Sequence, residues 1–503
     1  MAGIGFELQK LLKKNTLAAS IQAFLFGSVV ASGPMILTIV SISIIGWLSR
    51  GLLAEGALKL FMLTITYTFA FSLILVSPIQ ALLTRFIADK HFVKDFDAAF
   101  PGFITSSSLV LLLAAGVAIP FYTLLRVTIP VDHFLLYKIA AVLVFLGQCL
   151  IWQIMAFIST SKEYQKIIWA YILGAIVSVT IAYLALPHIG LAGALAGYCI
   201  GEWLIAAVLL FIVTRNLNKS KIWSKDFFST FVQYPLIALN GFFFTLGIWI
   251  DKFVFYAKTQ HQFAGSFFYS FNHYDVPNFL SLMSIIPGMA YFLILAETHF
   301  FRNFQGFIRN VLHKPLIEVE YKKEDMLRSL QQGMTGMARL QAIFTLLIII
   351  FATPVAIFLG YQGLSIPLFR VLCVAAFFHL LNLNLNVFYL YFELRKQALY
   401  MSLVFAFSNG LLTYISILLG PKYYGLGFLT SAIITLAIFW PLLARLVQRI
   451  DYRIFSSQPI QEDVDTSRKG FLSRLPALAI HRNYSGRQQP ANAMNSNAKG
   501  YAP

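Results

Sequence analysis

The sequence predicts an all-α integral membrane protein, with about twelve transmembrane helices in two six-helix lobes and both termini cytoplasmic. Composition is the first reason. Of 503 residues, 58% are hydrophobic and only 12% are charged, whereas a soluble domain carries about 25% charged residues. This chain cannot cover its apolar surface with polar groups, so lipid must act as its solvent. The second reason is length. Twelve windows meet the requirement of about 20 mostly apolar residues for one crossing: 20–48, 59–84, 103–126, 135–158, 166–186, 190–213, 229–251, 277–297, 340–360, 366–392, 398–419 and 424–446. The third is charge placement. With the N-terminus inside and alternation through twelve spans, inside segments hold 30 of the 38 Lys and Arg residues. The other eight, Arg50, Lys59, Arg126, Lys138, Lys252, Lys258, Arg370 and Lys422, fall on or near the outer side. Positive charge inside sets membrane orientation. The net charge of +17 therefore reports topology, with attraction to anionic lipid secondary, and no nucleic-acid partner is expected.

In chain order, residues 1–16 come first. On a helix, Ile4, Leu8, Leu11 and Leu12 share one side and Glu7, Lys10, Lys13 and Lys14 the other, the pattern of a segment lying on the cytoplasmic surface. A topology flank with no further role fits the same residues. The apolar run that follows continues past Ile21 to Trp47. That is too long for the core of a cleavable signal. Residues 17–213 form the first lobe, 214–228 a basic cytoplasmic linker, and 229–454 the second lobe. Within the second lobe, the inside loop 298–339 reads as a charged helix leading into the ninth span. The tail, 455–503, is polar and poor in aliphatics, and a disordered segment is expected there. Its Asn483-Tyr484-Ser485 sequon lies on the cytoplasmic side and is discounted.

Pro34, Pro78, Pro235, Pro287, Pro354 and Pro441 interrupt spans, and each permits a kink. Gly193, Gly197 and Gly201, four apart in the sixth span, predict a flat face for close helix approach. Cys149, Cys199 and Cys373 all fall inside spans, so no exported disulfide framework is implied.

Enzyme signatures are missing. The sequence contains no GxxxxGK[ST], no HExxH, no metal-ligand spacing and no GxSxG. No catalytic residue, metal or cofactor is expected, and the chain reads as a transporter.

The polar residues within spans are the candidate site. Glu202 is the acid nearest the middle of a span. A charge there costs at least about 2.5 kcal/mol on insertion scales, so it must face a cavity, pair or be protonated. A coupling-ion or substrate site and a neutral packing acid both fit. His379, Asn382 and Asn386 lie at i, i+3, i+7 on one face of the tenth span. They suit either a polar track for sugar hydroxyls or interhelical hydrogen-bond glue. Gln148, Gln153 and Asn240 are candidates for the same path. Asp251 and Lys252 adjoin the expected end of the seventh span, where they either pair in the interface or join the path. The ring-dense stretch beyond, including Phe267, Phe268, Tyr269 and Tyr274, suits an aromatic belt or a stacking surface at the exit for a sugar chain.

The stretch MAGIGFELQKLLKKN, followed by Ser32-Gly33-Pro34 in the first span, resembles the Pel exopolysaccharide inner-membrane transporter family, PelG. The match falls on Met1 to Leu8, Lys10 to Lys14 and Ser32 to Pro34. The span plan and the IDKF stretch, Ile250 to Phe253, are also similar to the polysaccharide flippase-like group of the multidrug/oligosaccharidyl-lipid/polysaccharide (MOP) superfamily. The resemblance runs from about Met1 to Ile454 and leaves the tail outside. It implies movement of an N-acetylgalactosamine/galactosamine-rich polysaccharide across the bacterial inner membrane for the biofilm matrix. It also implies work with a cytoplasmic glycosyltransferase and a membrane-bound cyclic di-GMP receptor complex. No family catalytic motif carries a role to any residue. An antiporter of small amphipathic compounds, a flippase for lipid-linked oligosaccharides, and a scaffold for a synthase are the competing readings.

Overall fold

The computed structural model describes residues 17–158, 164–215, 222–259, 262–295, 300–358 and 366–452. The predicted N-terminal surface helix (1–16) and the tail (455–503) lie outside the described residues. Among the described residues the secondary structure is helical apart from turns and two isolated bridges. Among the described residues, ten helical stretches are long and apolar enough to cross a membrane.

The first half of the chain contains α1 (Leu17–Ser49), α2 (Glu55–Phe92), α3 (Ala99–Leu124), α4 (Phe134–Ile158) and α5 (Tyr164–Arg215). α5 is two helices across a break. Ile189 and Gly190 leave helical geometry, with Gly190 at φ 55° and ψ −135°. Such a backbone suits a residue without Cβ. Beyond the break the chain doubles back. A Cβ on Gly193 would strike Ala185, one on Gly197 the backbone of Ala182, and one on Gly201 Ser178 and Gly174. As the glycine number rises its partner's falls, so the limbs are antiparallel. The glycine face predicted for close approach is thus used inside one hairpin.

The second half begins with a short amphipathic helix, α6 (Asp226–Gln233), and then α7 (Pro235–Thr259). Next come α8 (Asn272–Met283), α9 (Ile286–Leu295), α10 (Phe301–His313), α11 (Leu316–Ile350), α12 (Ala352–Phe358), α13 (Ile366–Tyr391), α14 (Arg395–Leu419) and α15 (Leu426–Gln448). The charged helix of the 298–339 loop is the first part of α11, continuous with its apolar part, as the sequence predicts. The seventh span is displaced. The expected window 229–251 becomes α7, which starts at Pro235 and runs two turns further, to Thr259. Pro235 at the first helical position starts it. The charged pair Asp251-Lys252 does not end it, because those side chains find partners inside the protein. Both residues of the pair are buried within the protein.

α8 and α9 are one apolar stretch broken before Pro287. Proline supplies no N–H and disfavours a helical residue before it. The opened ladder is repaired from α11. Gln341 donates from Nε2 to the Ser284 carbonyl (2.9 Å) and accepts from the Gly288 N–H at Oε1 (3.0 Å). Those two backbone groups would have bonded each other in a continuous helix, so the side-chain amide is inserted between them.

Helix contacts between the halves are exchanged. α1 packs on α9, and α2 packs on α7. Within each half, α2 packs on α4 and α8 packs on α13.

Candidate functional site

Glu202 sits on the second limb of α5, 4% exposed. It lines a cavity of about 10 Å³ with Thr38 and Ser41 of α1, and with Tyr171, Gly174 and Ser178 of the first limb. That is room for on the order of one water molecule. The hairpin glycines bring the two limbs close enough for a carboxylate on one and hydroxyls on the other to share this space. The hydroxyls of Ser41 and Ser178 are buried and have no protein partner, and the Tyr198 hydroxyl, one turn before Glu202, lies beside its carboxyl. The cavity is polar, oxygen-lined and under-satisfied, so it can take a water molecule or a small cation.

Asp251 on α7 is fully buried and saturated. Its Oδ2 accepts from the Tyr274 hydroxyl (2.7 Å) and from Asn278 Nδ2 (2.9 Å). Its Oδ1 accepts from the Lys252 backbone N–H (2.9 Å) and lies 3.5 Å from Lys252 Nζ. That ammonium also donates to the Ile248 carbonyl and lies over the Trp249 ring. Next to this cluster, Asp275 Oδ2 accepts from Tyr256 and from the Phe271 N–H. A buried ion pair in a membrane helix is expensive unless geometry and extra hydrogen bonds compensate; here the pair is long, and the extra hydrogen bonds supply the compensation. Asn278 was not singled out from sequence. It stands one turn from Tyr274 on α8, and the predicted window began only at residue 277, too late to place the two on one helix.

The candidate path residues fall into separate groups. Asn240, Asn386 and Ser402 close a triangle across α7, α13 and α14. The two amides exchange hydrogen bonds at 3.2 Å, and Ser402 bonds both, at 2.6 and 3.1 Å. Asn382 donates to the Ala432 carbonyl, leaving its own Oδ1 without a partner. His379 is buried among Phe244, Phe405 and Phe428, with Nδ1 unpartnered. Gln153 donates to Ser106 Oγ between α4 and α3. The Oε1 atoms of Gln148 and Gln153 are buried and unpartnered. The first-half glutamines are thus not brought together with the asparagines of the second half. Unpartnered buried polar atoms are uncommon in folded proteins. Here Asn382, His379, Gln148 and Gln153 retain such atoms, and the Asn240–Asn386–Ser402 triangle has its amides paired within the protein.

The ring-rich segment also divides. Phe267 is 51% exposed. Phe268 is buried against Tyr67 and Phe121, and Tyr274 is buried on Asp251 and stacked on Phe255 at 4.1 Å. Tyr269 is half-buried; its backbone N–H donates to the Tyr67 hydroxyl (2.8 Å), and its carbonyl accepts from that hydroxyl (3.1 Å). As arranged here the four rings do not present one continuous stacking face.

Several solved structures share this architecture. An outward-facing multidrug resistance MATE family transporter of the MOP superfamily superposes with a TM-score of 0.58 at 12% identity, covering 85% of this chain and 96% of that one. An inward-facing form of a MATE family transporter gives 0.57 at 12%, covering 84% and 99%. A MOP superfamily transporter from Pyrococcus furiosus, described as having a binding pocket of reversed polarity, gives 0.59 at 12%, covering 85% and 96%. At such identity the likeness speaks for the fold alone. No curated protein matches the chain by sequence. A family model does: PelG, exopolysaccharide Exporter (EPS-E), over residues 1–455.

Proposed function

The chain belongs to the PelG exopolysaccharide exporter family, and from that premise we propose that it carries a Pel-type, N-acetylgalactosamine/galactosamine-rich polysaccharide across the bacterial inner membrane. The match over residues 1–455 is the observation that carries this reading. The interior chemistry supports it. A largely N-acetylated polymer is neutral, and the unpartnered amide oxygens of Asn382, Gln148 and Gln153 are neutral acceptors for its hydroxyl and amide donors, with His379 Nδ1 able to accept or donate by tautomer.

The proposal includes a topology. Ten long apolar helices, with the two limbs of α5 counted separately and α1 added, make twelve passes. The exchange of contacts between the halves, α1 with α9 and α2 with α7, supports two six-helix lobes related by pseudo-symmetry. Charge placement supports cytoplasmic termini. A cytoplasmic glycosyltransferase and a membrane-bound cyclic di-GMP receptor are the proposed partners. The cavity at Glu202 favours a second element, a coupling ion that drives transport through the first lobe.

Deleting the gene and assaying secreted polymer tests the reading. Loss of secretion, restored by the gene on a plasmid, is expected. Normal secretion together with accumulation of a toxic dye in the deletion strain would replace export with small-molecule antiport.

A further inference from the structure

α2 and α7 run antiparallel along a long seam, and its two ends are built from different chemistry. Near one end the contacts are rings: Tyr67 stacks on Tyr256, and Phe71 on Phe253. In the middle the backbones nearly touch. A Cβ on Gly241 would lie 2.9 Å from the Ser77 carbonyl oxygen and 3.4 Å from the Ala81 Cβ. At the other end lies a closed ring of charge. Arg85 of α2 pairs with Asp89 (3.0 Å) and with Glu393 in the turn between α13 and α14. Arg395 pairs with Glu393 at 2.6 Å. Tyr234, just before α7, donates to Asp89 at 2.7 Å. Both guanidinium groups lie over the Tyr234 ring, at 4.9 and 4.5 Å from its centre.

The backbone at Glu393 gives this ring its weight. Glu393 has φ 56°. The Leu394 N–H reaches the Tyr389 carbonyl and the Glu393 N–H the Leu390 carbonyl. These are the two bonds of the helix-ending motif whose left-handed residue is usually glycine. A glutamate there bears backbone strain that glycine would avoid. The strained residue is the one whose carboxylate joins α2 to the α13–α14 turn. The charged side chains of the ring are a quarter to nearly half exposed, so water can take over each ionic partner when the ring opens. Pairs of this kind separate at little cost, which an apolar seam does not permit.

We propose that the Arg85–Asp89–Glu393–Arg395–Tyr234 ring is a reversible latch that holds the two halves of the chain closed at this end of the α2–α7 seam and releases as they part. The latch rests on the reading of the chain as a two-lobed transporter, and its test does not depend on export.

Ala81→Cys places a thiol on the seam one turn from Arg85, facing Gly241. The protein carrying it is labelled with a membrane-impermeant maleimide in inverted and in right-side-out vesicles; the parent without it reports the native cysteines. Glu393→Gly removes the carboxylate and suits the left-handed backbone, so the variant is expected to remain monodisperse. Labelling from the ring's side is expected to rise about fivefold in Glu393→Gly and in Arg85→Gln. The double variant is expected to rise no further, because both changes open one latch. Unchanged labelling in folded Glu393→Gly and Arg85→Gln would overturn the latch. An equal rise from both sides of the membrane would also overturn it, because it would mean general loosening. Secretion is assayed on the same variants. A labelling change alongside a parent that exports nothing would sink the export reading and keep the latch.

Discussion

Glu202 and Asp251 are both carboxylates buried among apolar helices, one in each half of the chain, and they are held in opposite ways. Asp251 has its acceptor sites filled by Tyr274, Asn278 and the Lys252 backbone, with the Lys252 ammonium beside it. Glu202 faces a cavity whose serine hydroxyls have no protein partner. The difference follows from the neighbouring helix. α8 carries Tyr274 and Asn278 four apart, so both reach α7 from one face. α1 and the first limb of α5 offer the short hydroxyl side chains of Thr38, Ser41 and Ser178, with Tyr171 beside them, across glycine-spaced backbones, which leave a gap. One acid is enclosed by its partners, and the other borders a gap.

Substitutions can break this comparison. Asp251→Leu is expected to have the largest effect, because it leaves Lys252 buried without its counter-charge. A loss of about 3–5 kcal/mol in stability is expected, read as a fall in the thermal unfolding temperature of protein in nanodiscs. A fall no greater than that of Glu202→Leu would erase the distinction. Tyr274→Phe removes one donor from the Asp251 carboxylate and is expected to cost about 1.5–3 kcal/mol by the same measurement.

Glu202→Gln is expected to change stability by less than about 1 kcal/mol, since volume and hydrogen-bonding capacity are nearly kept. Its signature lies in transport. Secretion should lose whatever dependence on pH or sodium gradient the parent shows, and a variant with the parent's full dependence would leave Glu202 a packing acid. Ser178→Ala should be neutral or slightly stabilising, because it removes an unpartnered buried hydroxyl; a loss above about 1 kcal/mol would show that the hydroxyl is bonded in the membrane.

The smallest effect is expected at an ion pair outside the spans. Lys323 donates to Asp451 at 2.8 Å. Burial pushes the Asp451 carboxyl up, but the Lys323 ammonium together with the backbone N–H groups of Tyr452 and Asp451 outweighs it and holds it below the ordinary range. A depressed carboxyl adds stability above its unfolded-state value, and that contribution fades as pH falls through the folded-state value. Partly exposed pairs contribute about 0–1 kcal/mol. Lys323→Ala should therefore lower the unfolding temperature slightly at neutral pH and not at all in strong acid.

Much of the helix plan was legible because the apolar windows follow from the thickness of the bilayer, which no tertiary contact alters. The glycine face of α5 was legible because the spacing of Gly193, Gly197 and Gly201 leaves no side chain on that side. The end of α7 was not, because charge reads as a boundary when its partners cannot be seen. Asp251 and Lys252 stay in the helix only because Tyr274 and Asn278 reach them from α8. Gln341 carried no signal at all: within α11 it is one polar residue among several, and its role depends on a gap opened by Pro287 more than fifty residues earlier. The track expected from His379, Asn382 and Asn386 does share a helix face. Yet Asn386 pairs with Asn240 and Ser402, while His379 sits among phenylalanines, and periodicity cannot tell these neighbours apart.

Composition, span length and charge asymmetry were enough by themselves to make this an all-helical membrane protein, and its opening residues were enough to suggest the family. Those properties are local or additive along the chain. Tertiary structure alone decided which acid is satisfied and which faces a cavity, how the broken helix at Pro287 is closed, and that Arg85, Tyr234 and Glu393 meet. Each of these depends on donors and acceptors far apart in sequence reaching within about 3 Å of one another, and only the packing of the helices sets that distance.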